Sequence, residues 1–203
     1  MEKREQRYYT SLYKIAAVIN SARTPEAVLN SIVESVAKAL EVKGSSIMLL
    51  EPDKKLLIHR AAYGLSEQYI KKGPVSADKS IAEALRGQPV AVLDATTDER
   101  VQYRESAKKE GIASVLSVPM KRRGEIIGVV RVYTTEPCQF TKDDMYFVGA
   151  VANLGAIALE NAKLYETLQK EYEAFRLEML EWRAALGREW RAHKSVIPPE
   201  EWE

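Results

Sequence analysis

The sequence predicts an α+β domain, an antiparallel sheet with helices before and after it, and three observations carry that expectation. The first is the stretch Gly111 to Thr134, GIASVLSVPMKRRGEIIGVVRVYT, in which two segments rich in Val, Ile and Leu flank Lys121-Arg122-Arg123-Gly124. Charge and a glycine between two such runs mark a hairpin, so Ala113 to Val118 and Glu125 to Tyr133 are antiparallel neighbours at the centre of a sheet. The second is a pair of amphipathic helices ahead of all the strands. The third is a proline-free run from Thr141 to Pro198 with an apolar repeat, which predicts one long final helix.

From the amino terminus, Tyr8, Leu12, Ile15 and Ile19 recur at spacings of four, three and four, one stripe along a helix over Lys3 to Asn20 that needs a partner surface. Thr24 and Pro25 supply an N-cap and a first-turn proline for a second helix ending near Leu40, with Val28, Leu29, Ile32, Val33, Val36 and Leu40 on its buried face. Gly44 is the expected left-handed residue after its end. Ser46 to Leu50 and Leu56 to Tyr63 form a hairpin around Glu51-Pro52-Asp53-Lys54-Lys55. Short helices are expected at Glu67 to Lys71 and at Ser80 to Arg86, the second stopped by Gly87, then a strand from Val90 to Leu93, and a helical turn or two over Glu105 to Glu110.

Thr141 and Asp144 make a Thr-x-x-Asp capping box for the last helix. Its apolar positions Val151, Leu154, Ala158, Tyr165, Leu168, Tyr172, Phe175, Met179, Trp182 and Leu186 alternate by four and three, a heptad register with Asn161 in the seam. Three arrangements answer that register: a helical bundle at a dimer interface, a continuous coiled coil, or a tail folded on its own domain. The large rings in the seam favour the bundle. The expected division is a domain over 1–165 that includes the first helix, a helical dimerisation extension over 166–197 and a loose end over 198–203.

Composition narrows the function classes. The 203 residues, 46% of them hydrophobic, can bury one substantial core, and a net charge of +1 gives no global field to recruit nucleic acid or an anionic membrane. One cysteine, Cys138, allows no internal disulfide and no four-cysteine zinc site, which suits a reducing cytoplasm. The apolar window Phe147 to Leu159 is short for a membrane span and contains Asn153 and two glycines. The expected protein is cytoplasmic and free of membrane and nucleic-acid partners. No nucleophile elbow, phosphate-cradling glycine loop or metal-ligand spacing is present, so no catalytic residue and no metal site are expected.

The order helix, helix, two strands, short helices around a strand, two strands, long helix resembles a GAF domain. The resemblance spans roughly Tyr13 to Tyr165. It rests on Thr24-Pro25-Glu26, Ala61-Ala62-Tyr63-Gly64-Leu65, Asp94, Gly111-Ile112 with Ser114, Pro119, Ile127-Gly128-Val129 and Phe140-Thr141, in that order. It implies an antiparallel sheet of five or six strands, terminal helices on one face, and short helices and loops over a pocket on the other. It also implies a non-enzymatic sensory module that binds a small molecule and signals through dimeric terminal helices to a separate effector protein. The alternative is a dimerisation scaffold with a closed pocket. The cofactor is left unknown: Cys138 lies away from the position of a bilin-attaching cysteine, His59 reads as a solvent-side strand residue rather than a haem ligand, and one cysteine cannot run a sulfoxide-reductase disulfide cycle.

Ligand-binding candidates follow from predicted position: Arg131 first, then Asp94, Tyr103, Ser114 and Leu116. An arginine inside a Val-rich central strand is costly to bury unpaired, so it binds an anion, pairs with a carboxylate such as Asp94, or reaches solvent. The dimer-interface candidates are Tyr8, Leu12, Ile15 and Ile19 in the first helix and Tyr165, Leu168, Tyr172, Phe175, Met179, Trp182 and Leu186 in the last.

Overall fold

The computed structural model describes residues 2–21, 24–53, 55–77 and 82–194. Helix α1 covers Glu2–Ser21 and α2 covers Pro25–Leu40. Thr24 caps α2 by accepting from the Ala27 amide, with Pro25 in the first turn as its missing N–H allows. The left-handed residue after α2 is Glu41 (φ 54°), not the expected Gly44. Gly44 is needed for a different reason, since a Cβ there would lie 2.3 Å from the Tyr63 carbonyl oxygen.

Among the described residues six strands follow: β1 (Gly44–Leu50), β2 (Leu56–Tyr63), β3 (Val75–Ser76), β4 (Val90–Val92), β5 (Ser114–Arg122) and β6 (Glu125–Thr134). They form one sheet in the order β3-β2-β1-β6-β5-β4, every neighbouring pair antiparallel. The expected sheet of five or six strands therefore has six, the two-residue β3 being the one not read from the sequence. Arg123 (φ 50°) and Gly124 (φ 85°) turn β5 into β6, the two-residue left-handed turn that matches the twist of a hairpin. Helices α3 (Glu67–Ile70) and α4 (Arg104–Glu110) lie where short helices were expected. The segment before Gly87 is a single 3-10 turn over Ala84–Arg86, and the first part of its expected helix falls outside the described residues.

Alternation along the strands builds two different faces. Ile47, Ala61, Leu116, Val118, Met120, Val130 and Val132 pack on Ile32, Val33 and Val36 of α2 and on Phe147, Val148, Val151 and Ala152. The last four belong to the first turns of α5, which covers Lys142–Lys194. Met48, Leu57, Val129, Val115 and Tyr133 point the other way, towards the short helices and loops. Two one-residue irregularities decide these assignments. Between Ile47↔Ala61 and Met48↔His59 the pairing skips Arg60, which puts Ala61 on the helix face and His59 on the loop face. Between Met120↔Gly128 and Lys121↔Ile126 it skips Ile127, which joins the helix-side core instead of continuing the face of Val129. A bulge inverts the inside–outside parity beyond it, which simple alternation does not anticipate.

The stripe of α1 finds its partner within the chain. Tyr8 and Ile15 are buried, Leu12 and Ile19 pack beside them, and the Tyr8 ring stacks on Phe147 with centroids 4.3 Å apart. This corrects the expectation of a dimer interface for Tyr8 and Ile15, whose side chains are buried within the chain, while Leu12 and Ile19 are only partly covered. Asp144, fully buried, locks the same junction: it accepts from Arg4 (2.6 Å), from the Tyr8 hydroxyl and, closing the expected capping box, from the Thr141 amide (2.8 Å). Burial first, then the hydrogen bond to Asp144, pushes the Tyr8 phenol up to about 12.

The chain separates into two compact units, 1–160 and 161–203. In the second, Tyr165, Leu168, Tyr172, Phe175, Met179, Trp182 and Leu186 are all exposed. The expected loose end at 198–203 lies outside the described residues. By length and composition α5 is apolar enough to cross a membrane, but its apolar part supplies Phe147, Val148, Val151, Ala152, Ala156 and Ala158 to the domain core.

Candidate ligand-binding cavity

On the loop face of the sheet a cavity opens between β6, β5, α3, the strand β3, the loop before α4, and α4 itself. Half its lining is apolar: Val75, Ala95, Val101, Ala107 and Val115. The other half is Tyr69, Lys72, Gln102, Tyr103 and Arg131, two cations and no acid. The free volume at its centre is about 10 Å³, room for one water.

Arg131 reaches this place because it alternates with Val129 and Tyr133 on β6, in register with Ser46 of β1 and Ser117 of β5. The residue is only 3% exposed. Its Nε–H is buried without a hydrogen-bond partner, and among the described residues no carboxylate pairs with its guanidinium. The guanidinium carbon lies 5.5 Å from the centre of the Tyr133 ring. Tyr133 is itself pinned, its hydroxyl 2.8 Å from Ser46 Oγ and its ring meeting Tyr69 edge-on at 5.8 Å.

Lys72 follows α3, whose N-cap Ser66 accepts from the Tyr69 amide. Its ammonium donates to the Tyr69 carbonyl at 2.9 Å, lies 3.4 Å from the centre of the Tyr69 ring and stands 3.3 Å from His59 Nε2. Burial first, then repulsion from Arg131, lowers Lys72 to about 7, with Glu110 opposing the shift. His59 is lowered to about 3 by burial and then by the positive charges of Lys72 and Arg131, so its ring is neutral near pH 7. Where Lys72 donates to Nε2, the ring proton is on Nδ1, and Nδ1 is the second buried nitrogen here without a partner. Glu110 does not neutralise the cluster. It is occupied by Lys43 at 3.5 Å and by the amide and hydroxyl of Ser66, which hold its carboxyl low against the opposing effect of burial.

The structure gathers some sequence-predicted residues here and scatters others. Arg131 and Tyr103 line the cavity, the Tyr103 hydroxyl donating to the Pro74 carbonyl at 2.9 Å. Leu116 is in the helix-side core and Ser114 has the same parity, its hydroxyl donating to the Leu93 carbonyl (2.6 Å) and accepting from the Cys138 amide (2.8 Å). Both are therefore corrected from ligand candidates to packing and loop-holding residues. Asp94 is exposed, does not line this cavity, and folds its carboxylate onto the Thr96 amide and hydroxyl at 2.8 and 2.7 Å, so its pairing with Arg131 does not form. His59, expected to face solvent, lies half-buried against Lys72. Lys72, Tyr69, Gln102 and His59 were missed. Once Arg131 is placed on a face, the strand register marks Ser117 rather than Leu116 on β5, but Lys72 and Tyr69 come from irregular chain that alternation does not place.

Comparison with known proteins agrees with this geometry. The family model described as GAF domain matches residues 22–160. Among solved structures, the GAF domain of a phosphoenolpyruvate-protein phosphotransferase from Coxiella burnetii superposes with a TM-score of 0.71 at 20% identity, covering 80% of this chain and 98% of that one. Free methionine-R-sulfoxide reductase from Neisseria meningitidis, solved with its substrate, gives a TM-score of 0.65 at 18% identity over 78% of this chain and 91% of that one. At these identities the likeness is one of fold. A methyl sulfide methyltransferase-associated sensor from Methanosarcina acetivorans is 26% identical over 138 residues, which are 64% of this chain and 14% of the sensor's length. With the six-stranded antiparallel sheet, the helices on one face and the loop-covered cavity on the other all in place, the family match over most of the chain settles its membership: it is a GAF domain protein.

Proposed function

We propose that this chain is a non-enzymatic sensory module that binds a small molecule in the cavity around Arg131 and passes the signal through its terminal helices as a homodimer. The observation that carries the reading is the buried guanidinium with an unpartnered Nε–H. A group of that kind is costly to keep without a partner and is a common mark of a functional site. The likeness over 138 residues to the sensor named above supports a sensory role here.

The exposed stripe from Tyr165 to Leu186 supports the dimer, a second copy being the partner whose matching stripe is available by symmetry. A separate effector protein receives the signal. A specific observation favours the alternative of a scaffold with a closed cavity: the free space holds about one water. Two measurements separate the readings. Native mass spectrometry of the purified chain, compared with the denatured chain, is expected to show a co-purifying small molecule that Arg131→Gln loses; a ligand-free protein that no added small molecule stabilises contradicts the sensor. A chain ended after Tyr165 is expected to be monomeric at low micromolar concentration, and one that stays dimeric removes the tail from the interface.

A further inference from the structure

Resting on the reading of this cavity as a ligand site, we propose that its ligand is a compact anion, a carboxylate or oxyanion group held by Arg131 and Lys72. The cavity wall offers two cationic side chains and no acidic one. Arg131 Nε is buried with no hydrogen-bond partner among the described residues, and the guanidinium is an N–H donor that only an acceptor can satisfy. The nearby carboxylate of Glu110 is engaged by Ser66 and Lys43 and leaves the positive charge standing. An anion brings what the site lacks, acceptors and negative charge in a half-apolar pocket where both act strongly. A neutral ligand satisfies the donors but leaves two cations facing each other.

The free space sets the size of the group that enters first. A water-sized void favours a small head of a few heavy atoms, and the Lys72 ammonium beside it is anchored through a carbonyl and a ring face instead of a salt bridge. Binding also takes up a proton. Lys72 faces His59 on β2, Tyr69 on α3, Tyr103 before α4, Glu110 on α4 and Arg131 on β6. An anion among them favours the charged ammonium, so affinity falls as the pH rises above about 7, where the empty site loses that proton.

The test uses the full chain labelled with nitrogen-15, at fixed ionic strength and low chloride, and reads the Arg131 Nε–H resonance together with the melting temperature. Formate, nitrate and inorganic phosphate are titrated against formamide, the neutral counterpart of formate, so the arms also distinguish carboxylate from oxyanion. The expected result is a saturable shift of the Arg131 resonance with at least one anion and none with formamide. Lys72→Gln is expected to weaken that anion about tenfold or more, as the loss of a charge-assisted hydrogen bond does, and to remove the pH dependence. Lys72 lies outside the sheet core, so this variant reports on the site even if Arg131→Gln does not fold. Formamide shifting Arg131 while the anions do not overturns the anion assignment and leaves the sensor reading standing. Anions, formamide and co-purifying molecules all leaving Arg131 unmoved overturns both.

Discussion

Two buried charges, one on each side of the sheet, are treated in opposite ways. Asp144, on the helix side, is saturated: Arg4, the Tyr8 hydroxyl and the Thr141 amide all donate to it, and it welds α1 to the start of α5. Arg131, on the loop side, is nearly as buried and lacks a pairing carboxylate among the described residues. A charge placed for stability collects its partners within the chain, because leaving one out costs more than the pair contributes. A charge placed for binding keeps donors free for a group that arrives later. The contrast extends to the two faces, one a single continuous apolar core and the other broken into smaller clusters beside Lys72 and Arg131.

Substitutions can break this contrast in order of expected effect. Ile47→Ala, on the helix face of β1 with no exposed surface, is expected to cost about 2–5 kcal/mol in urea unfolding, as large-to-small changes in packed cores do. A cost near that of a surface change would mean the helix side is not the stabilising core. Asp144→Ala is expected to cost less, about 2–3 kcal/mol, since Arg4 is half-exposed and regains water while the Tyr8 hydroxyl loses its acceptor. If Asp144 were dispensable, the comparison would fail on its structural side.

A pH series sharpens the loop side. His59 is held near pKa 3 in the folded chain against an ordinary value of 6.5, so between those values the unfolded chain binds the extra proton. Folding stability therefore falls as pH drops from about 6.5 towards 3, and His59→Gln should flatten that limb relative to the parent chain. Carboxylates that lose stability in acid are common to both proteins and cancel in the difference. Parallel curves for the two proteins would place His59 in solvent, as its position in the sequence first suggests.

Much of the fold was legible because period and punctuation agreed. Thr24-Pro25 opened α2 and the charged turn at Lys121 to Gly124 reversed the central hairpin, each through a local conformational preference. The family order followed from those pieces. The cavity was legible only through Arg131 and Tyr103. Leu116 and Ser114 failed on parity, because choosing a face requires the register against β6, which pairs Ser117 with Arg131. His59 failed beside a bulge, which leaves no strong mark in composition. Lys72 and Tyr69 were missed because they follow from how a one-turn helix and a loop fold over the sheet. The stripe of α1 was read correctly as needing a partner surface, and that surface proved to be the chain's own.

The most direct test of the account is the unfolding free energy of Arg131→Met, measured in urea without added ligand and beside the parent protein. Replacing a buried charge that lacks a pairing carboxylate by an apolar side chain of similar length should leave stability unchanged or raise it by about 1 kcal/mol or more. A loss of about 2 kcal/mol or more would show that the guanidinium holds the fold together, and would contradict its assignment to a ligand.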